Sequence, residues 1–110
     1  MPDYFIRVDS ATRFEADRGS KADLAQGDHL FAGINCFEPG QSQRLHAHRG
    51  ADTFYFVVSG KARMSVGDDI REVSAGTLVW APADVPHGVA EALERTVLLV
   101  AIAPGPGAIG

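Results

Sequence analysis

From residue 29 to residue 103 the chain is a series of short β-forming runs separated by turn residues. Hardly any stretch carries the 3.6-residue periodicity of a helix. The spacing predicts strands over residues 29–37, 44–48, 53–58, 61–66, 70–73, 77–81, 88–92 and 96–103. Between them stand Glu38, Pro39 and Gly40, then Gly50, Ser59 and Gly60, Gly67 to Asp69, Ala75 and Gly76, and a stretch bounded by Pro82 and Pro86. Such residues supply positive φ, a fixed φ or local side-chain hydrogen bonds, which is what turns need. Many short strands at this spacing predict an all-β sandwich or barrel in one domain.

The two ends are less regular. Residues 4–8 are aromatic and β-branched and predict a first strand. Residues 9–27 are polar, with Gly19 and Gly27 as breakers; Ser20 could cap a short helix there, or residues 21–25 could form a short strand, and both stay open. Pro104, Gly105, Pro106 and Gly107 stop any further strand, so residues 104–110 are expected to form a flexible tail, loose or wrapped around a dimer partner. The expected division is an N-terminal strand and variable segment (1–27), a barrel (28–103) and the tail (104–110).

At 110 residues and 45% hydrophobic content, the chain can bury a core without disulfides or a structural metal. A net charge of −4 with no block of Lys or Arg argues against nucleic acid or an anionic membrane as partner. The single cysteine, Cys36, has no internal partner and lies in an apolar run, which points to a buried reduced thiol. The N-terminus lacks the basic region and long apolar stretch of a signal peptide, and the longest apolar run, residues 97–103, is too short for a bilayer. A cytoplasmic location is the expectation.

The chemistry concentrates in three histidines. In an extended strand, residues i and i+2 point to one face, so His46 and His48 can reach one point in space. His87 follows the second Pro-containing turn. Three imidazoles converging from two strands form a candidate site for a transition metal.

These residues fall into two ordered motifs, and over residues 28–103 the chain resembles the cupin family. The first family motif is met by Gly40, His46, His48 and Gly60, the second by Gly76, Pro82 and His87. The resemblance implies a double-stranded β-helix, a small jelly-roll barrel with a divalent metal inside its mouth. It is imperfect. The acidic ligand's position, six residues before Gly60, falls on Thr53; Asp52 fits only an alternative spacing and is carried as a possible fourth ligand beside His46, His48 and His87. Asp84 stands where the family has a glycine, and Glu91 where it has an asparagine. A turn role is expected for Asp84.

Two further residues are candidates for handling a substrate. Arg44 shares strand parity with His46 and His48, so its guanidinium is placed to hold a carboxylate in the same cavity. Tyr55 shares parity with Thr53 and could offer its phenol as hydrogen-bond donor or acid. Trp80 is expected in the core or barrel wall. Phe54, Phe56 and Val58 form the opposite face of their strand, suited to a core between sheets or a dimer contact.

The functional expectation is a metal-dependent enzyme of isomerase, lyase or dioxygenase type, using Fe, Mn, Ni or Zn. Its substrate is a small oxygenated molecule, carboxylate-bearing or sugar-derived. The layout is similar to the short cupins that convert unsaturated uronates, which the resemblance gives as a suggestion of kind. The alternative is a non-catalytic module binding a sugar or small ligand. A homodimer is expected, because an open sheet edge needs covering.

Overall fold

The structure is a computed structural model that describes residues 3–106. It contains a 3-10 turn, Val8–Ala11, and nine strands: β1 (Ser20–Gln26), β2 (Phe31–Phe37), β3 (Gln43–His46), β4 (Asp52–Ser59), β5 (Lys61–Val66), β6 (Asp69–Ser74), β7 (Leu78–Ala81), β8 (His87–Ala92) and β9 (Thr96–Ala103). Five form one sheet in the order β1-β2-β9-β4-β7, and four form the other in the order β3-β8-β5-β6. All pairings are antiparallel. Consecutive strands repeatedly pass from one sheet to the other, as in a double-stranded β-helix.

Strand alternation decides what fills the space between the sheets. On β4, Thr53, Tyr55 and Val57 are buried while Asp52 and Val58 are exposed and Phe54 and Phe56 half-buried. The inward set packs with Met64 of β5, Val89 of β8 and Leu98, Val100 and Ile102 of β9. Burying one such side chain contributes about 1.5–3 kcal/mol. β2 is buried on both faces. Its outer residues, Ile34 and Cys36, with Val97, are covered by Val8, Ala11, Phe14, Ala22 and Leu24.

That N-terminal cover is tied down. The Arg95 guanidinium donates to both carboxylate oxygens of Glu38 at 2.8 and 3.0 Å and lies 4.3 Å above the Phe14 ring. The same ion pair holds the Glu38 carboxyl below its ordinary range. Gln41 donates to the Glu15 carbonyl at 2.8 Å.

Several expectations need correction. Residues 4–8 form no strand: Tyr4, Phe5 and Ile6 are exposed, and the chain enters the 3-10 turn instead. A β-prone run becomes a strand only where a sheet edge accepts it, and the edge beside β2 is taken by β1. The segment left open between helix and strand is β1. The tail does not begin loose, because Gly105 is buried against Phe31, whose backbone nitrogen would lie 2.9 Å from an added β-carbon. The Gln26 amide donates to the Pro106 carbonyl. The rest of that tail, 107–110, lies outside the described residues. Cys36 is buried and free of any disulfide. Trp80, expected in the core or the barrel wall, lies on the outer wall, 53% exposed.

Candidate metal centre

β3 and β8 bring the histidines together. His46 ends β3 and pairs directly with His87, the first residue of β8. His48 lies two residues beyond β3, so strand geometry alone does not aim it. Its backbone is fixed instead by two amides, from Ala51 at 3.3 Å and Asp84 at 3.2 Å, that donate to its carbonyl. The ring centroids are 4.4 Å apart for His46 and His87, 5.1 Å for His46 and His48, and 5.6 Å for His48 and His87. One nitrogen from each ring lies within 4.8 Å of the other two. At bond lengths of about 2.1 Å, three nitrogens on one ion sit about 3.4–3.6 Å from one another, so ring movements of up to about an ångström bring the three onto one ion.

The hydrogen bonds set the tautomers. His87 Nδ1 lies 2.9 Å from the Val85 carbonyl, and His46 Nδ1 lies 3.2 Å from the Arg44 carbonyl. A carbonyl oxygen can only accept, so both rings carry their proton on Nδ1 and present an Nε2 lone pair. His87 is 1% exposed, and its Nε2 finds no hydrogen-bond partner among the described residues. A buried acceptor without a partner is costly, and a cation between the three rings removes that cost. Burial pushes both His48 and His87 below the ordinary histidine range, and the charge of a protonated His46 acts in the same direction. Neutral imidazole is the ligand form, so the environment favours the state that binds metal. Three neutral imidazoles suit zinc, copper, iron or nickel.

The other candidates are dispersed. Asp52 is exposed, and its carboxylate accepts from the Ala83 amide at 3.0 Å; it is not part of the histidine cluster. Alternation is the reason, because Thr53 takes the inward position, 1% exposed with an unpartnered hydroxyl. Arg44 is exposed and outside the cavity beside the histidines. A register shift between Gln43 and His46 explains this, since one extra residue reverses the parity that would have aimed Arg44 inward. Gln43 lines the cavity instead, with its Oε1 buried and unpartnered. Tyr55 does line it, 2% exposed, its ring 5.8 Å from that of His87. Burial pushes its phenol up to about 12, so it stays neutral near pH 7, the form that can donate a hydrogen bond.

Asp84 has φ of 69°, where side chains other than Asn or Asp are disfavoured, and its carboxylate accepts from the Gly50 amide at 3.2 Å. It is a turn residue, as expected. Glu91 pairs with Arg63 across β5 and β8 at 3.1 Å. His29 is exposed.

The cavity measures about 240 Å3 and is lined by His46, His48, Tyr55 and Gln43 together with residues of β1, β2 and β9. Sequence reasoning missed Lys21 and Asp23 in its wall, because the conformation of the segment that became β1 was open; it also missed Asn35 of β2. Among the described residues no helix is long and apolar enough to cross a membrane.

Residues 33–103 match the cupin domain family. An uncharacterised protein of Streptomyces coelicolor is 32% identical over 91 residues, covering 81% of this chain and 84% of that one. A crystal structure of a protein from Thermus thermophilus superimposes with a TM-score of 0.86 at 29% identity, covering 93% of this chain and 98% of the other. KdgF from Halomonas sp. superimposes with a TM-score of 0.82, covering 96% of each chain; at 21% identity that likeness concerns the fold alone.

Proposed function

This chain belongs to the cupin family, and we propose that it is a metal-dependent enzyme acting on a small oxygenated molecule, with His46, His48 and His87 as the metal ligands. One observation carries the reading: a buried, unpartnered His87 Nε2 faces two further imidazoles, beside a cavity with room for a small molecule. A bound divalent ion supplies Lewis acidity toward a carbonyl or hydroxyl.

The chain's own residues supply the rest. The Val85 and Arg44 carbonyls hold the His87 and His46 rings in orientation. Tyr55 offers a neutral phenol to a substrate oxygen. Its raised pKa keeps it protonated at neutrality, so it does not serve as the base there. The resemblance to uronate-converting cupins favours isomerase or lyase chemistry on sugar-derived acids as the first class to assay. The second reading is a non-catalytic ligand-binding cupin, favoured by Thr53 standing where an acid would be.

The same proposal includes a homodimer formed through the outer face of the five-stranded sheet. Leu78 and Trp80 on the edge strand β7 stand opposite Phe56 and Phe54 and are 56% and 53% exposed. An apolar row ending at an open edge is covered in a stable protein.

Elemental analysis of the wild type and of His46→Ala and His87→Ala variants tests the centre. Near-stoichiometric metal that disappears in both variants supports it. A wild type that takes up no metal after reconstitution overturns the enzyme reading and leaves the binding module.

A further inference from the structure

The cavity beside the histidines is closed on one side by β1 and β2, and their register fixes which side chains enter it. Lys21 pairs with Asn35, and Asn35 pairs with Leu98, which is fully buried between the sheets. That row therefore points inward. The next inward row runs from Asp23 through Gly33 and Val100 to Tyr55. Lys21, Asp23 and Asn35 all line the cavity that also holds His46 and His48. Among the described residues, no carboxylate lies within 4.0 Å of the Lys21 ammonium, and the six ion pairs found there all use other cations.

We propose that the cavity selects a compact hydroxy acid, its single carboxylate held by the Lys21 ammonium and its hydroxyls donating to Gln43 Oε1 and Asp23. This deepens the metal-enzyme reading and rests on it for the reaction. Three features set the ligand class. Lys21 is an exposed cation on an edge strand at the cavity wall, without an ion-pair partner among the described residues, where a carboxylate gains a charge-assisted bond. Gln43 Oε1 is a buried acceptor with no partner, so a ligand hydroxyl satisfies it and a second carboxylate would not. Asp23 repels further negative charge on the same side, which limits the ligand to one. The volume, about 240 Å3, equals that of about eight liquid waters and suits a small metabolite. Lys21 acts on selection, so it is a specificity residue.

The test uses the intact chain, metal-loaded and metal-free, as wild type, Lys21→Gln and Lys21→Arg. Metal content is measured first; affinities for glycerate and for glycerol, its counterpart without the carboxylate, follow from 15N NMR titration. The wild type is expected to bind glycerate about tenfold or more tighter than glycerol. Lys21→Gln is expected to lose that preference with unchanged metal content and unchanged glycerol affinity, and Lys21→Arg to keep it. Equal affinity for the two probes, no binding of either, or an undiminished preference in Lys21→Gln overturns the proposal. A wild type without metal would bring down the enzyme reading alone, because the glycerate preference of the metal-free protein and its loss in Lys21→Gln still decide this one.

Discussion

The carbonyl oxygen of Arg44 lies 2.9 Å from where a β-carbon on Gly88 would sit, and it is the oxygen that accepts the His46 Nδ1 proton at 3.2 Å. Gly88 therefore lets the bulged β3 backbone lie close enough over β8 to orient a metal ligand. Gly88→Ala is expected to displace the Gln43 and Arg44 carbonyls and weaken metal binding about 10–100-fold, the usual cost of losing a partner behind a ligand. Gly76→Ala is the control. Gly76 has φ of 93° with nothing within 4 Å of an added β-carbon, so that variant should lose about 1–2 kcal/mol of stability and keep its metal affinity. Competition with a chelator, alongside thermal melts, separates the two effects. Equal metal affinities in both variants would show that the Arg44 carbonyl does not matter.

Acid should destabilise the metal-free protein. His48 and His87 are both held below the ordinary histidine pKa, mainly by burial. Between the depressed folded values and the unfolded value of about 6.5, the unfolded chain binds more protons. The contribution is thus complete above about pH 6.5 and is lost as pH falls through the folded pKa values. Urea midpoints at pH 7.5, 6.5 and 5.5 should fall with acid, and His48→Gln with His87→Gln should flatten that slope. A slope unchanged in the double variant would assign the acid sensitivity to other groups.

Thr53 supplies a third expectation. Its hydroxyl is buried and unpartnered, and valine has the same shape without the unsatisfied group. Removing an orphaned polar atom should stabilise the metal-free protein by about 1 kcal/mol. Denaturation of Thr53→Val checks this, and metal titration of the same variant asks a second question. A loss of metal affinity would mean that the hydroxyl, or a water it holds, helps to bind the ion.

How much of this could be read from the chain depended on whether local pattern or tertiary pairing decided each feature. Residues 61–66 and 96–103 matched β5 and β9 to the residue, because Gly60 and Gly67 bound the first, and the charged pair Glu94 and Arg95 and then Pro104 bound the second. The three histidines were legible through spacing, although His48 reaches the cluster through hydrogen bonds to its carbonyl rather than through strand parity. Arg44 was misplaced because a single-residue register shift leaves no trace in composition yet reverses every side chain before it. Lys21 was invisible as a cavity residue for a related reason. Residues 20–26 mix polar and apolar side chains with none fully buried, and it is pairing with β2 that makes them a strand.

The outer face of the five-stranded sheet allows a last expectation. Two apolar rows cross it: Leu78, Phe56, Leu99 and Ile34 in one, and Trp80, Phe54, Ala101 and Ala32 in the other. The N-terminal segment covers Ile34, leaving Leu78 and Trp80 as the exposed ends. Neither packs in the interior, so replacing them should leave the fold intact while altering what this face binds. If two copies bury these rows against each other, Trp80→Glu places a charge in an apolar contact, and the variant should run as a monomer where the wild type runs as a dimer. Light scattering behind size-exclusion chromatography reads the mass directly, and a thermal melt at matched concentration shows whether the monomer is still folded. A dimer that survives both Trp80→Glu and Leu78→Glu would place the interface elsewhere. A monomeric wild type would mean that these rows stay exposed in the isolated protein.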